Sequence, residues 1–389
     1  MLSARAKALK PSLTLAIAAK AKQLKAAGKD ICSLSAGEPN FDTPAFIREA
    51  ATRALEDGAT RYGPAAGEPQ LRAAIAAKLA RANGMAVSAE QVLVTNGGKQ
   101  ALYNLFQVLL DPGDEVLLPA PYWLSYPEMA QLAGASVQVV PSAAATGFRL
   151  DIEALEARIN PRSRLLILNT PSNPTGLVLQ QRELEAVADL LRRHPHVAVV
   201  CDEIYEYLLA PGQKHHSLAA LAPDLADRLF VVNGFAKGWA MTGWRLGYLA
   251  GPLPALKAAI ALQSQSTSNV CTFAQFGALA ALEGSMLCVQ EMAKSFSARR
   301  ERLTRGLQQL PGLVLVPPTG AFYAFPDVSS HGLASLDFCN QLLDKEGLAL
   351  VPGAPFGDDR CVRLSCAVSS ATIDDGLARL GNFLSRLHN

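Results

Sequence analysis

The stretch LFVVNGFAKGWAMTGWRLGYLA, residues 229–250, decides how this chain is read. It opens on the apolar run Leu229–Val232 and closes on a second, Leu246–Ala250. Short continuous apolar runs of this kind mark strands buried on both faces. Between them stands one lysine, Lys237, crowded by Trp239, Met241 and Trp244. A lone lysine beyond a strand is most simply a surface residue. Held among apolar groups it loses hydration instead, and its amine becomes available as nucleophile and base. Arg245 follows eight residues later, a planar fork suited to an anion such as phosphate.

The same pattern repeats upstream. Apolar runs at Gln91–Thr95, Glu115–Leu118, Val137–Val140, Leu165–Asn169 and Val197–Cys201 alternate with helical stretches such as Gln100–Leu110 and Arg182–Arg192. Strands separated by helices predict an α/β fold with a mostly parallel seven-stranded sheet covered on both faces. In such sheets ligands collect beyond the carboxyl ends of the strands. That rule gathers Gly97, Gly98 and Lys99 after the first run, Asn173 after the fourth, Asp202 after the fifth and Lys237 after the sixth. The glycine pair also opens a helix, whose first N–H groups favour an anion.

Downstream, a long helical segment near Thr272–Thr304 reads as the bridge to a second unit. Short strands at Leu313–Val316, Phe322–Ala324 and Val362–Ser365, mixed with helices, predict a smaller α+β domain. The expected division is an N-terminal segment, 1–40, packing with the small domain, a large domain, 41–290, and a small C-terminal domain, 291–389. The 389-residue length agrees, since single cores stop growing near roughly 250–300 residues.

Bulk properties exclude several classes. A formal net charge of +2, with dispersed basic residues, leaves no nucleic-acid footprint. No apolar run approaches the roughly 20 residues that span a bilayer, so no membrane partner is expected. Arg5, Lys7 and Lys10 ahead of Leu13–Ala19 mimic a signal peptide, but Lys20 and Lys22 end the run, and an amphipathic helix is the better reading. Seven scattered cysteines with no CxxC pair argue against a disulfide framework or zinc site and for a reducing, cytoplasmic compartment. His194, His196, His215 and His216 lie in loop-like sequence with no cysteine or carboxylate at ligand spacing, so solvated histidines and no metal are expected.

Four strings then stand in order: NTPSNPTG (169–176), VAVVCDEIY (197–205), NGFAKGWAMTGWRLGY (233–248) and CVRLS (361–365). Together they resemble the class I aminotransferases that use pyridoxal 5′-phosphate, and most of all the bacterial-type aspartate aminotransferase subgroup. The likeness runs from KPSLT (10–14) to CVRLS. It implies the type I fold of such enzymes, with Lys237 bonded to the cofactor and acting as base, and Asp202 keeping the pyridine nitrogen protonated. It implies that Tyr205 and Asn173 share the cofactor's phenolic oxygen and that Trp123, in APYW, stacks on the ring. Gly97, Gly98 and Lys99 with Arg245 would cradle the phosphate. The family's serine before the lysine is Ala236 here, which removes one phosphate donor.

By the same likeness, Tyr62 in TRYGPAAG would reach the phosphate of a neighbouring subunit, implying a homodimer with shared active sites, and Ser264–Asn269 is a second subunit-boundary candidate. Arg363 would clamp the substrate α-carboxylate with Gly37 in SAGEPN beside it, and Lys10, Thr14 and Lys99 resemble the set that holds a distal carboxylate. Cis peptide bonds are expected before Pro121 and Pro174. The activity implied is ping-pong transfer of an amino group, through pyridoxamine phosphate, between L-aspartate or glutamate and a 2-oxo acid such as 2-oxoglutarate. Prephenate stays open as a substrate, and so do an aromatic or kynurenine aminotransferase and a C–S lyase on the same fold. A non-catalytic regulator of this fold would carry a DNA-binding module, for which a likeness starting at residue 10 leaves no room.

Overall fold

The computed structural model describes residues 1–3, 6–7 and 13–387, with the side chains of 13–16 and 18 left out. Strands are numbered in chain order: β1 (Cys32–Ser33), β2 (Val92–Thr95), β3 (Glu115–Pro119), β4 (Ser136–Val140), β5 (Ser163–Asn169), β6 (Ala198–Asp202), β7 (Leu229–Gly234), β8 (Gly247–Ala250), β9 (Tyr323–Ala324), β10 (Leu348–Ala349), β11 (Val351–Pro352) and β12 (Val362–Ser365). Strands β2 to β8 form one sheet in the order β2-β8-β7-β6-β5-β3-β4. β3 to β7 pair in parallel. Only β8 runs against its neighbours, β2 and β7. The mostly parallel α/β sheet expected from the apolar runs is present.

Two-sided burial explains why these runs lack polar alternation. Leu166, Val199 and Val231 enter one core, packed with Leu184, Val187 and Leu191 of the helix Gln181–Arg193. Their neighbours Ile167, Val200 and Phe230 enter another, packed with Leu102, Leu105 and Phe106 of the helix Gly98–Leu109. Burying each such side chain contributes about 1.5–3 kcal/mol relative to leaving it exposed, so a charge at Val200 or Val231 would break the sheet.

A third core joins Leu34, Leu303, Phe322, Leu342, Leu364 and Phe383 around the antiparallel sheet β11-β12-β9. β1 pairs in parallel with β10, which ties residues just after the helix Leu13–Ala26 to the C-terminal part. Tyr205 and Leu208, from the turn after β6, belong to this core as well. The carboxyl end of the large sheet therefore meets the β9–β12 region through direct side-chain contacts.

Two expectations fail. Thr272–Thr304 is not one helix but two, Thr272–Glu283 and Leu287–Gln308, meeting at 81°. Gly284 sits at the break in an extended conformation, where a Cβ would lie 2.6 Å from the Phe46 ring and 2.8 Å from the Ala280 carbonyl, so only glycine fits this close approach. Leu313–Val316 forms no strand; Val314 makes only an isolated bridge to Asp327. A short apolar run on an exposed edge has no two-sided burial to hold it in a ladder. Among the described residues no single helix is long and apolar enough to cross a membrane.

Candidate active site

Asp202 ends β6 and is 6% exposed. Its Oδ2 accepts the Tyr126 hydroxyl at 2.8 Å and its Oδ1 the Ile204 amide at 3.3 Å. Burial pushes this carboxyl up to about 6, against the pull of those two donors; Glu203 next door adds to the rise and Lys237 opposes it. It therefore stays mostly ionised near neutrality while remaining poised for a cationic partner.

Lys237 follows β7 by three residues. The strand end is set by Asn233, whose Oδ1 accepts the Gly234 amide at 2.7 Å, and by Gly234, where a Cβ would fall 2.8 Å from the Leu246 carbonyl. The Lys237 amine donates to the Gly37 carbonyl at 2.6 Å and lies 5.8 and 5.7 Å from the Tyr205 and Phe322 rings. Burial lowers it to about 8; the Arg363 and Arg245 cations help, while Glu38 and Asp202 oppose. At about pH 7 roughly a tenth of such amines are neutral, against a few in ten thousand for an ordinary lysine.

Arg363, on β12, is 3% exposed. Nη1 donates to Asn173 Oδ1 at 3.0 Å and Nη2 to the Ser35 carbonyl at 3.2 Å. The guanidinium lies 4.5 and 5.1 Å from the Tyr323 and Phe356 rings, and its Nε has no hydrogen-bond partner. Burial lowers its proton affinity, and no carboxylate contacts it among the described residues. A buried cation with one unused donor is suited to bind an anion. Asn173 is held by its own amide, which donates to Asn169 Oδ1 at 2.8 Å. Tyr205 hydroxyl pairs with Tyr323 hydroxyl at 3.0 Å.

On the other flank, Gly97 turns at φ 79° and Gly98 starts the helix Gly98–Leu109. A Cβ on Gly97 would lie 2.8 Å from Arg245 Nη2, so glycine is required for the guanidinium to approach the helix N-terminus. Arg245 itself sits at φ 55°, an uncommon strained backbone of the sort found at ligand clamps, and donates to the Thr242 carbonyl at 3.0 Å. Lys99 Nζ lies 4.9 Å from the Trp123 ring, and burial followed by repulsion from Arg245 lowers its proton affinity.

Thus Lys237, Asp202, Tyr205, Asn173, Arg363 and Gly37 are joined by direct contacts or shared partners, and Gly97, Gly98, Lys99, Arg245 and Trp123 form an adjacent flank. Tyr62 is not part of this set within one chain: it is 91% exposed. Ser264–Ser266 are likewise exposed. Lys10 lies outside the described residues, and of Thr14 only the helical backbone is described. Peptide bonds before Pro121 and Pro174 are cis as expected, and so is the one before Pro171.

Sequence reading missed Tyr126 and Tyr323. Tyr126 stands three residues after Trp123, in the first turn of the helix Ser125–Leu132, and their rings meet edge to face at 5.3 Å. Tyr323 gave no signal, because a tyrosine on a short apolar strand reads as core. The expectation of solvated histidines is wrong for His215. Its side chain is 9% exposed and Nε2 stands 3.3 Å from Glu203 Oε2. The carboxylate that sequence spacing did not offer arrives from the turn after β6.

The family described as "Aminotransferase class I and II" matches residues 29–380. A bifunctional aspartate aminotransferase and glutamate/aspartate-prephenate aminotransferase of Petunia hybrida is 45% identical over 97% of this chain and 82% of its own. The aspartate aminotransferase of Geobacillus stearothermophilus is 44% identical over 98% of both chains. Among solved structures, the aspartate aminotransferase of Thermus thermophilus with maleate superposes with a TM-score of 0.94 at 45% identity, over 98% of this chain and 99% of that one.

Proposed function

This chain belongs to the class I and II aminotransferases, and we propose that it moves the amino group of L-aspartate or L-glutamate to a 2-oxo acid such as 2-oxoglutarate, using pyridoxal 5′-phosphate. The observation that carries the reading is the meeting, at one sheet edge, of a desolvated lysine amine, a buried carboxylate and a buried arginine with an unused donor.

The donor set fits the cofactor. Lys237 is the amine that would hold it, Asp202 the anion for its pyridine nitrogen, and Tyr205 and Asn173 are the neutral groups for its phenolic oxygen. The Gly97–Gly98 turn, the Lys99 helix start and Arg245 supply positive and N–H character for a phosphate, and Trp123 supplies a flat apolar face. Bound there, pyridoxal phosphate would supply the electron sink that makes the α-proton of an amino acid removable.

The chain's own groups do the rest. Arg363 binds and orients the substrate α-carboxylate with its fork, beside the Gly37 backbone. The Tyr323 and Phe356 rings keep that guanidinium flat and dry. Lys237 Nζ, partly neutral near pH 7, takes the α-proton and returns it. Asp202 stays ionised beside a cationic ring and is aimed by Tyr126. Lys10, Thr14 and Lys99 are the groups we assign to the distal carboxylate.

A second reading, with prephenate as acceptor, is favoured by the name of the Petunia relative. The neighbouring-subunit role of Tyr62 is supported by its 91% exposure in its own chain, and we assign a homodimer with shared sites. A cytoplasmic setting agrees with seven free cysteines. We divide the chain as 1–40, 41–290 and 291–389, the first segment grouped with the last. Steady-state assays with aspartate, glutamate, aromatic amino acids and cysteine conjugates, each against 2-oxoglutarate and prephenate, test the substrate. Highest kcat/KM for aspartate or glutamate supports the reading; release of a thiol from a conjugate without amino transfer overturns it.

A further inference from the structure

Four segments converge on a dry polar cluster next to the site. Lys78 and Asn83 come from the helix Pro69–Asn83, Glu203 and Glu206 from the turn after β6, His215 from the segment between that turn and β7, and Asn233 from the end of β7. All but His215 are at most 6% exposed. Lys78 Nζ is paired with Glu206 Oε1 and donates to Asn83 Oδ1 at 2.8 Å. Asn83 Nδ2 donates to Glu203 Oε2 at 2.7 Å and Glu206 Oε2 at 2.9 Å, and Asn233 Nδ2 to Glu206 Oε1 at 2.8 Å.

Charges do not balance among these groups alone. One ammonium faces two carboxylates, which leaves a negative charge where water does not reach, and an unpaired buried charge is costly. The group placed to cancel it is His215, whose Nε2 stands 3.3 Å from Glu203 Oε2. Glu203 and Glu206 both draw a proton onto this ring, while burial and the Lys78 ammonium oppose, and the outcome is a proton affinity above the ordinary one. Tyr207, Tyr248 and Cys201, beside the carboxylates, are held neutral by burial, and the Asp202 carboxyl next to Glu203 adds no positive charge. On its own segment, Lys214 is exposed and His216 is drawn towards the neutral form by burial, so neither cancels the charge.

Glu203, Glu206 and His215 also lie close enough together to suggest a metal site. Both Glu206 oxygens are already occupied, by Lys78 and Asn233 on one and Asn83 on the other, and the ammonium stands in for the metal.

We propose that Lys78, Glu203, Glu206, Asn233 and a protonated His215 form one charge-neutral cluster that positions the ends of β6 and β7, and with them Asp202, Tyr205 and Lys237. The positioning half of this statement rests on the active-site reading above. The leverage is short. Glu203 adjoins Asp202, Glu206 adjoins Tyr205, and Asn233 fixes the Gly234 amide three residues before Lys237. Asn83, which contacts both carboxylates, and Lys78, paired with Glu206, tie the two strand ends to one helix.

A histidine whose proton affinity rises on folding contributes stability that is present below about pH 6.5 and lost as pH rises through the folded value. Wild-type thermal stability should therefore fall across that upper window, and His215→Gln should be flat there. The direct test is NMR titration of the holoenzyme labelled at histidine, with His215 assigned from His215→Gln. The expected midpoint lies above about 6.5 and falls when Glu206→Gln removes one negative charge. A midpoint at or below about 6.5 in the wild type overturns the charge assignment, even if Glu206→Gln does not fold. For positioning, Asn233→Ala should lower kcat roughly 10- to 100-fold with KM changed less than about threefold. An unchanged kcat overturns it. Absence of amino transfer in the wild type would count against the active-site reading while leaving the titration fully readable.

Discussion

Replacing Arg363 by methionine separates the function of a buried cation from its cost. The guanidinium is 3% exposed, touches only neutral groups among the described residues and keeps Nε unpartnered. In the proposed reaction its fork makes two charge-assisted hydrogen bonds to the α-carboxylate, each worth about 1.5–3 kcal/mol. Losing about 3–6 kcal/mol lowers kcat/KM by roughly 10² to 10⁴. All amino-acid substrates share that carboxylate, so aspartate and a monocarboxylic amino acid should suffer alike. Stability should respond differently. Methionine leaves two buried acceptors, Asn173 Oδ1 and the Ser35 carbonyl, without this donor, but it also removes an uncompensated buried charge. The two effects oppose each other, so Tm should stay within a few degrees. Substrate-panel kinetics and calorimetry on one preparation measure both. A loss confined to dicarboxylic substrates would refute the α-carboxylate role, and a collapse in Tm would refute the claim that Arg363 is kept for binding.

Three shorter predictions concern the neighbouring groups. Lys237→Ala should abolish turnover while pyridoxal phosphate still binds but becomes removable by dialysis; wild-type rates would remove Lys237 from its role as base. Capture of the cofactor by apoprotein requires the neutral Lys237 amine, lowered to about 8, so its rate should rise about tenfold from about pH 7 to 9 and then level off. A hundredfold rise that continues beyond about pH 10 would mean an ordinary lysine. Tyr126→Phe removes the 2.8 Å donor from Asp202, which lets the carboxyl rise further. The acid limb of the kcat/KM profile should move up by about one unit and kcat fall about tenfold; an unmoved limb would show that Tyr126 only packs.

The parts legible in the sequence share one property: they lie on or just beyond strands whose burial on both faces writes a continuous apolar run. Val197–Cys201 announces β6, so Asp202 and Tyr205 follow at once, and Leu229–Val232 delivers Lys237 in the same way. Arg363 was readable because Val362 and Leu364 flank it on a strand found at the expected residues. What stayed hidden depends on contacts between distant elements. Tyr126 meets Asp202 across 76 positions, Lys78 meets Glu206 across 128, and Tyr205 meets Tyr323 across 118. No local pattern encodes such a partner. The 81° break at Gly284 is hidden for the same reason, since the Phe46 ring that leaves no room for a side chain there comes from far upstream.

The most direct measurement on the central claim is an absorbance scan of the purified protein with pyridoxal phosphate, before and after L-aspartate and then 2-oxoglutarate. The account predicts a visible band from the cofactor held on Lys237, its loss with growth of an ultraviolet band when aspartate is added, and recovery with 2-oxoglutarate. A protein that never develops the visible band, or one whose band ignores both aspartate and glutamate, would contradict it.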